Sequence, residues 1–270
     1  MRLTATNYYS PQAHKAFMSV SQYKDFCKCE ACAMAQMNGT WEKPQSRALL
    51  LGSYVDEMLT GTKKSQEKFI AENTGDLFKK NGDPYADVAQ AMAAVEKVKQ
   101  QPVMMKYLSG KHQKIMTGKI AGVPFKIRMD SYKPGEYIAD LKYMASLRSP
   151  NLFEPLVKYW NYIAQGAVYQ EIVYQNTGDR LPFYLVIATK ESPTHLEVCE
   201  INQYDLDEEL NNIKRLAPKF QKIKEGLMSP ERCEDYNCDF CTETKIITKP
   251  IDSNHMGLSA KQLKVVTNEF

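Results

Sequence analysis

Histidine is scarce in this chain, and the four present, His14, His112, His195 and His255, show no mutual spacing that would build a zinc site or a nucleophilic triad. They are expected on the surface or in the core, and the chemistry has to come from other side chains. No stretch approaches the ~20 apolar residues that span a bilayer. The segment MRLTATNYYSPQAHKAF lacks the apolar run of a secretory signal. A cytoplasmic location without membrane attachment is therefore expected. Internal repeats and low-complexity blocks are missing too. Tryptophan occurs only as Trp41 and Trp160, both expected in the core. The net charge of +3 is modest, so bulk charge by itself gives no argument for a nucleic-acid partner.

What is present suits one globular unit. With 270 residues and 43% hydrophobic content the chain can bury a substantial core. It divides into an N-terminal extension with a helix and cysteines over 1–45, a central unit over 46–228, and a cysteine-containing segment and tail over 229–270, a single domain overall. Apolar periodicity predicts helices over 19–38, 46–60, 84–108 and 204–226, with one more helix after Pro150. Strands are predicted at 112–120, 123–132, 136–143, 182–190 and 195–202. The class is α/β, a mixed sheet flanked by helices. Residues 246–270 show little periodicity and read as a tail.

The two strands GVPFKIRMDSY and GEYIADLKYM, joined by Lys133-Pro134-Gly135-Glu136, read as a hairpin. They bring Asp130 near Asp140-Leu141-Lys142. Asp140 and Lys142 are two apart and share a strand face, with the Leu141 carbonyl between them. Hard oxygen donors of this kind suit magnesium or manganese. Attack on a phosphodiester needs a deprotonated water and neutralisation of charge on phosphorus, which carboxylate-bound divalent ions supply. Lys142 would orient the water or stabilise that charge. In the next helix Gln165 and Tyr169 are four apart and share one face.

Hairpin, DxK strand and QxxxY helix together resemble the core of the PD-(D/E)XK nuclease superfamily in its RecB-like branch. The first motif departs from the pattern, with Met129-Asp130 in place of Pro-Asp. The likeness spans residues 7 to 245. The segments CEACAMAQ, LLLGSYVDE, QGAVYQE and LPFYLVIATKE, with the terminal cysteines, are similar to phage and prophage RecE-type exonucleases, whose activity resembles that of lambda exonuclease. The resemblance implies a restriction-endonuclease-like core with catalytic Asp130, Asp140, Lys142, Gln165 and Tyr169. It implies two magnesium or manganese ions held by Asp56, Asp130, Asp140 and the Leu141 carbonyl. Asp56 stands where the family usually has histidine, and Glu57 is its alternative. The implied activity is resection of linear double-stranded DNA in the 5' to 3' direction, leaving 3' overhangs for a RecT-like annealing protein in a phage or prophage recombination system of a bacterial host. A ring-shaped homo-oligomer is the implied assembly. A single-strand exonuclease of the CRISPR-adaptation type and a non-catalytic DNA-end-binding protein are the alternatives.

Lys106, Lys111, Lys114, Lys119, Lys126 and Arg128 cluster in and before the hairpin. Lys114, Lys126, Arg128 and, at the end of a later strand, Lys190 are candidates for phosphate contact. The seven cysteines fall as Cys27, Cys29 and Cys32, then Cys199, then Cys233, Cys238 and Cys241. Clusters of this kind in a cytosolic chain speak for metal rather than disulfide. The resemblance to RecB-like nucleases implies an iron-sulfur cluster on Cys29, Cys233, Cys238 and Cys241, with Cys27 and Cys32 as rivals for the first position. Zinc or free thiols remain alternatives, because thiolate sets serve either metal. Cys199 reads as core on a strand.

Overall fold

The computed structural model describes residues 1–42, 46–233, 238–247, 250 and 252–257. Eight helices precede the sheet: α1 (Pro11–Ala16), α2 (Val20–Lys28), α3 (Glu30–Met37), α4 (Arg47–Thr60), α5 (Lys63–Glu72), α6 (Thr74–Leu77), α7 (Ala86–Lys99) and α8 (Pro102–Tyr107). Strands β1 (Lys111–Ile120), β2 (Val123–Lys133) and β3 (Tyr137–Met144) follow. Helices α9 (Leu156–Tyr159) and α10 (Tyr162–Thr177) cross over to β4 (Phe183–Thr189) and β5 (Leu196–Glu200). Helices α11 (Gln203–Lys224) and α12 (Asp239–Glu243) and a 3-10 turn at Ser253–His255 follow among the described residues. Most of the predicted tail lies outside the described residues.

The sheet runs β1-β2-β3-β4-β5, antiparallel throughout except for the parallel β3–β4 pair that α10 connects. Period-2 alternation assigns its two faces. Ile138 and Met144 of β3 and Phe183, Leu185 and Ile187 of β4 pack with α10, α11 and α2. Ala139, Leu141, Val186 and Ala188 pack with α4, α7 and α8. The segment read as an N-terminal extension is built into the first of these cores through Met18, Tyr23 and Phe26. Met18 also exchanges backbone hydrogen bonds with β2, donating to Pro124 and accepting from Lys126.

Three predicted helices are broken, each for a local reason. The one over 19–38 divides at Cys29, whose φ of −164° is extended and whose Sγ caps α3 by accepting from Cys32 N. The one over 84–108 divides at Gln101, which precedes Pro102 and is held at φ −103°, ψ 102°, because a residue before proline avoids the α region. The one after Pro150 divides at Asn161, left-handed at φ 49°, whose Oδ1 caps α10 by accepting from Ala164 N. Trp160, expected in the core, precedes that break and is 45% exposed.

Helix α10 lies close on the sheet because Gly166 has no side chain. A Cβ there would stand 2.7 Å from Leu206 Cδ2 and 2.7 Å from Phe183 Cδ1. Gly166→Ala is therefore expected to destabilise the fold by about 1–3 kcal/mol through overpacking. Chemical denaturation at constant m-value checks it.

Candidate active site at the opening between two strands

Strands β2 and β3 pair only at Ser131↔Ala139, Tyr132↔Ile138 and Lys133↔Tyr137. The next pair in that register would set Asp130 against Asp140, and there the ladder stops. The amide of Leu141, left without a strand partner on that side, donates to Asp130 Oδ2 at 3.1 Å. In an extended residue the N–H and C=O face the same edge, so the Leu141 carbonyl opens into the same gap. The opening is a consequence of the hairpin: β2 stays with β1 from Val123 to Tyr132, interrupted only at Asp130, and leaves β3 after three pairs.

Asp140 is 2% exposed and faces α10, as expected for a position one residue from Leu141. Its Oδ1 accepts from Gln165 Nε2 at 2.5 Å. Lys142 Nζ approaches its buried Oδ2 to 2.5 Å. The contact is charge pairing. Tyr169, one turn after Gln165, donates its hydroxyl to Arg128 O at 2.9 Å and ties α10 to β2. The i, i+4 pair of the sequence thus bridges both strands of the gap.

Asp56 reaches the site from the last turn of α4. Its Oδ1 accepts from Thr60 Oγ1 at 3.1 Å and its Oδ2 from Gln113 Nε2 at 2.9 Å. Glu57, the alternative, packs against Gly61 at the end of its own helix. Burial, then the Asp140 charge, push the Asp56 carboxyl above its ordinary range, against the hydrogen bond from Thr60. Burial and the charges of Asp140 and Asp56 push Asp130 well above it. For Lys142, burial pulls the ammonium down, but Asp140 and Asp130 outweigh it and the net direction is up. Lys142 is held protonated.

Asp56, Asp130 and Asp140 act on one another electrostatically, with the one ammonium of Lys142 beside Asp140, so the site carries negative charge in excess. Its donors are all oxygens. The residues therefore fit a hard divalent cation, which would be held by Asp56, Asp130, Asp140 and the Leu141 carbonyl.

Gln113, Lys24 and Tyr162 also belong to the site, and none of them was selected from the sequence. Gln113 lies on β1 opposite Asp130 with φ 51° and drops out of the ladder, while pairs on both sides keep register. A non-glycine residue in that region carries strain of about 1–2 kcal/mol, and here the strained residue is the one that holds Asp56. Lys24 donates to Trp160 O at 3.1 Å and lies 5.3 Å from the Tyr162 ring, whose other neighbour is Lys142 Nζ at 5.2 Å. Burial, then the charge of Lys142, lowers its pKa to about 8. One signal existed for Lys24: it follows Val20 by four and so shares the buried side of α2.

A cavity of about 370 Å³ adjoins the site, with Tyr9, Lys24, Arg128, Lys142 and Tyr162 in its walls. Of the predicted phosphate contacts, Arg128 lies there, 4.8 Å from the Tyr9 ring. Lys126 is corrected: it is fully buried, donates to Tyr8 O at 2.5 Å, and fastens the N-terminal segment rather than facing solvent. Lys114 lines a separate depression beside Arg2. Lys190 sits 5.4 Å from the ring of Tyr143, a residue on the sheet face opposite Lys142. Of these four, Arg128 and the buried Lys126 line the cavity beside the candidate site, and Lys114 and Lys190 lie away from it.

Away from this site, Sγ atoms of Cys29, Cys233, Cys238 and Cys241 lie within 4.8 Å of one another. Cys27 is exposed, Cys199 is half-buried on β5, and Cys32 accepts a hydrogen bond from Gln36 Nε2 at 3.1 Å. No described helix is long and apolar enough to cross a membrane.

The family described as a PDDEXK-like domain of unknown function (DUF3799) matches residues 19–244. A protein from Eubacterium rectale, whose crystal structure is described as a "Putative exonuclease", shares 39% identity with this chain. The match covers 96% of this chain and 100% of that one with a TM-score of 0.86. No curated protein sequence matches.

Proposed function

This chain belongs to the PDDEXK-like family DUF3799, and from that premise we propose that it is a divalent-metal-dependent exodeoxyribonuclease acting on the ends of linear duplex DNA. The observation that supports this most is the junction itself, where Asp130 closes on Leu141 N while Asp140 and Lys142 project together under Gln165. The description of the Eubacterium rectale relative agrees in class. The 5' to 3' direction, the 3' overhang and a RecT-like annealing partner follow from the resemblance to RecE-type exonucleases. So does a ring of subunits, in which weak phosphate contacts would add across the assembly.

Held by the carboxylates, magnesium or manganese supplies Lewis acidity and charge neutralisation toward a phosphodiester. The protein's own groups set the rest. Lys142, protonated and beside Asp140, donates toward the attacking water and the phosphoryl oxygens instead of acting as a base. Gln165 fixes the carboxylate plane of Asp140, and Tyr169 fixes the α10–β2 spacing, so both are positioning residues. Arg128 and Lys24 make the cavity wall positive for the DNA backbone.

Duplex DNA with a label on either the 5' or the 3' end, in linear and in covalently closed form, tests the proposal. Magnesium-dependent release of the 5' label from linear duplex, with closed circles intact, is the expected result. Preference for single strands, efficient cutting of closed circles, or binding without hydrolysis would reject it, and a monomeric mass under processive conditions would reject the ring.

A further inference from the structure

The resemblance to RecB-like nucleases implies iron and sulfide on the four cysteines, and the geometry of the thiols argues otherwise. Cys29 Sγ lies 3.5 Å from Cys241 Sγ, Cys233 Sγ lies 3.7 Å from Cys238 Sγ, and no separation within the set exceeds 4.8 Å. Four thiolates at zinc-sulfur bond length around one tetrahedral ion stand about 3.8 Å apart. In a four-iron cluster each cysteine binds a different iron, so the thiolates stand outside the cluster with bridging sulfides between them. In a two-iron cluster they approach only in pairs, with the pairs held apart by the bridged irons. A set in which all four sulfurs are mutual neighbours has room for one ion.

We infer that Cys29, Cys233, Cys238 and Cys241 bind a single tetrahedral zinc-class ion that fastens the α2–α3 corner to the segment carrying α12. The two halves of the set are built alike. Cys29 accepts from Cys32 N and Cys238 from Cys241 N, each at 3.4 Å, and such N–H donors to sulfur offset the charge of bound thiolates. Cys32, the neighbour best placed to compete, is turned to Gln36. Among the described residues, Trp41 against Phe240 at 5.6 Å adds an apolar contact between the corner and the α12 segment. Glu30 adds polar ties, accepting from Glu231 N at 3.0 Å and pairing with Lys219 at 2.8 Å. Four closely spaced sulfurs at the centre of so small a cluster are what a structural ion requires, and the free energy of binding it is folding free energy. Binding releases the thiol protons to solvent.

Metal and acid-labile sulfide analysis of the full chain, purified aerobically and anaerobically, tests this without reference to nuclease activity. One zinc per chain and no sulfide is expected, with loss of the zinc in Cys238→Ser and retention in Cys32→Ser. Retention in Asp140→Asn separates the thiolate site from the carboxylate site, so a failure of the nuclease proposal would leave this result untouched. If Cys238→Ser does not fold, cobalt exchanged into the wild-type protein decides: thiolate-to-cobalt charge transfer with tetrahedral visible bands supports the site. Several irons with sulfide, or metal-free protein whose four thiols titrate freely or are joined as disulfides, would overturn it.

Discussion

Asp140→Asn is expected to reduce turnover by about a thousandfold or more, the equivalent of about 4 kcal/mol of transition-state stabilisation, without loss of fold. The amide keeps the shape of the carboxylate and can still accept from Gln165 through Oδ1. What it loses is the charge, and with it the oxygen that pairs with Lys142. Single-turnover cleavage of linear duplex measures the effect. Wild-type rates in the variant would remove Asp140 from the site.

The same excess of charge has a thermodynamic side that can be read without substrate. In the metal-free protein Asp130 and Asp56 have carboxyl groups raised above the unfolded range near 4. As pH climbs through that range the unfolded chain loses its protons first, so the folded state binds more protons. Stability from these groups therefore falls with rising pH until the folded carboxyls have ionised. Melting temperature in chelator, compared between wild type and Asp130→Asn, isolates the contribution. The variant is expected to have the shallower decline, and to lose the upward shift that magnesium gives wild type by binding the folded state.

Lys142→Ala is expected to lower kcat by about 100- to 1,000-fold, the usual cost of one preorganised donor at a developing charge. Binding of magnesium should be retained, because Lys142 competes with the cation for Asp140 instead of helping to hold it. The split between lost kcat and preserved magnesium-induced stabilisation is the diagnostic. Loss of both together would mean that the lysine builds the site rather than acting in it.

The parts of the site legible in the sequence are those whose geometry is local. A two-residue spacing on a strand put Asp140 and Lys142 on one face, and a four-residue spacing on a helix put Gln165 and Tyr169 on one face. Both relations need only backbone periodicity. Asp130 needed one hairpin more. Gln113 was out of reach because its partner Asp56 is 57 residues away and its backbone is distorted, which no polar residue on a strand announces. Lys126 misled for the converse reason: a lysine on an alternating strand reads as solvent-facing, and only the return of Tyr8 across the strand buries it. The helix broken at Cys29 follows the same logic, since apolar periodicity continues through a residue whose extended backbone is set by the cap it provides and by cysteines near the other end of the chain.

Cys29 and Cys241 meet across 212 residues of chain, and proteins are made from the N-terminus at about 5–20 residues per second. The α2–α3 corner is thus synthesised well before its thiol partners, and α2 also packs against α10 and α11. A chain ended before Cys233 would carry every carboxylate of the cavity, its lysines, and the glutamine and tyrosine of α10, and would still leave Cys29 without its partners. With an ion on the thiol set, the α2–α3 corner is fastened to the α12 segment only after synthesis has passed Cys241, 212 residues beyond Cys29.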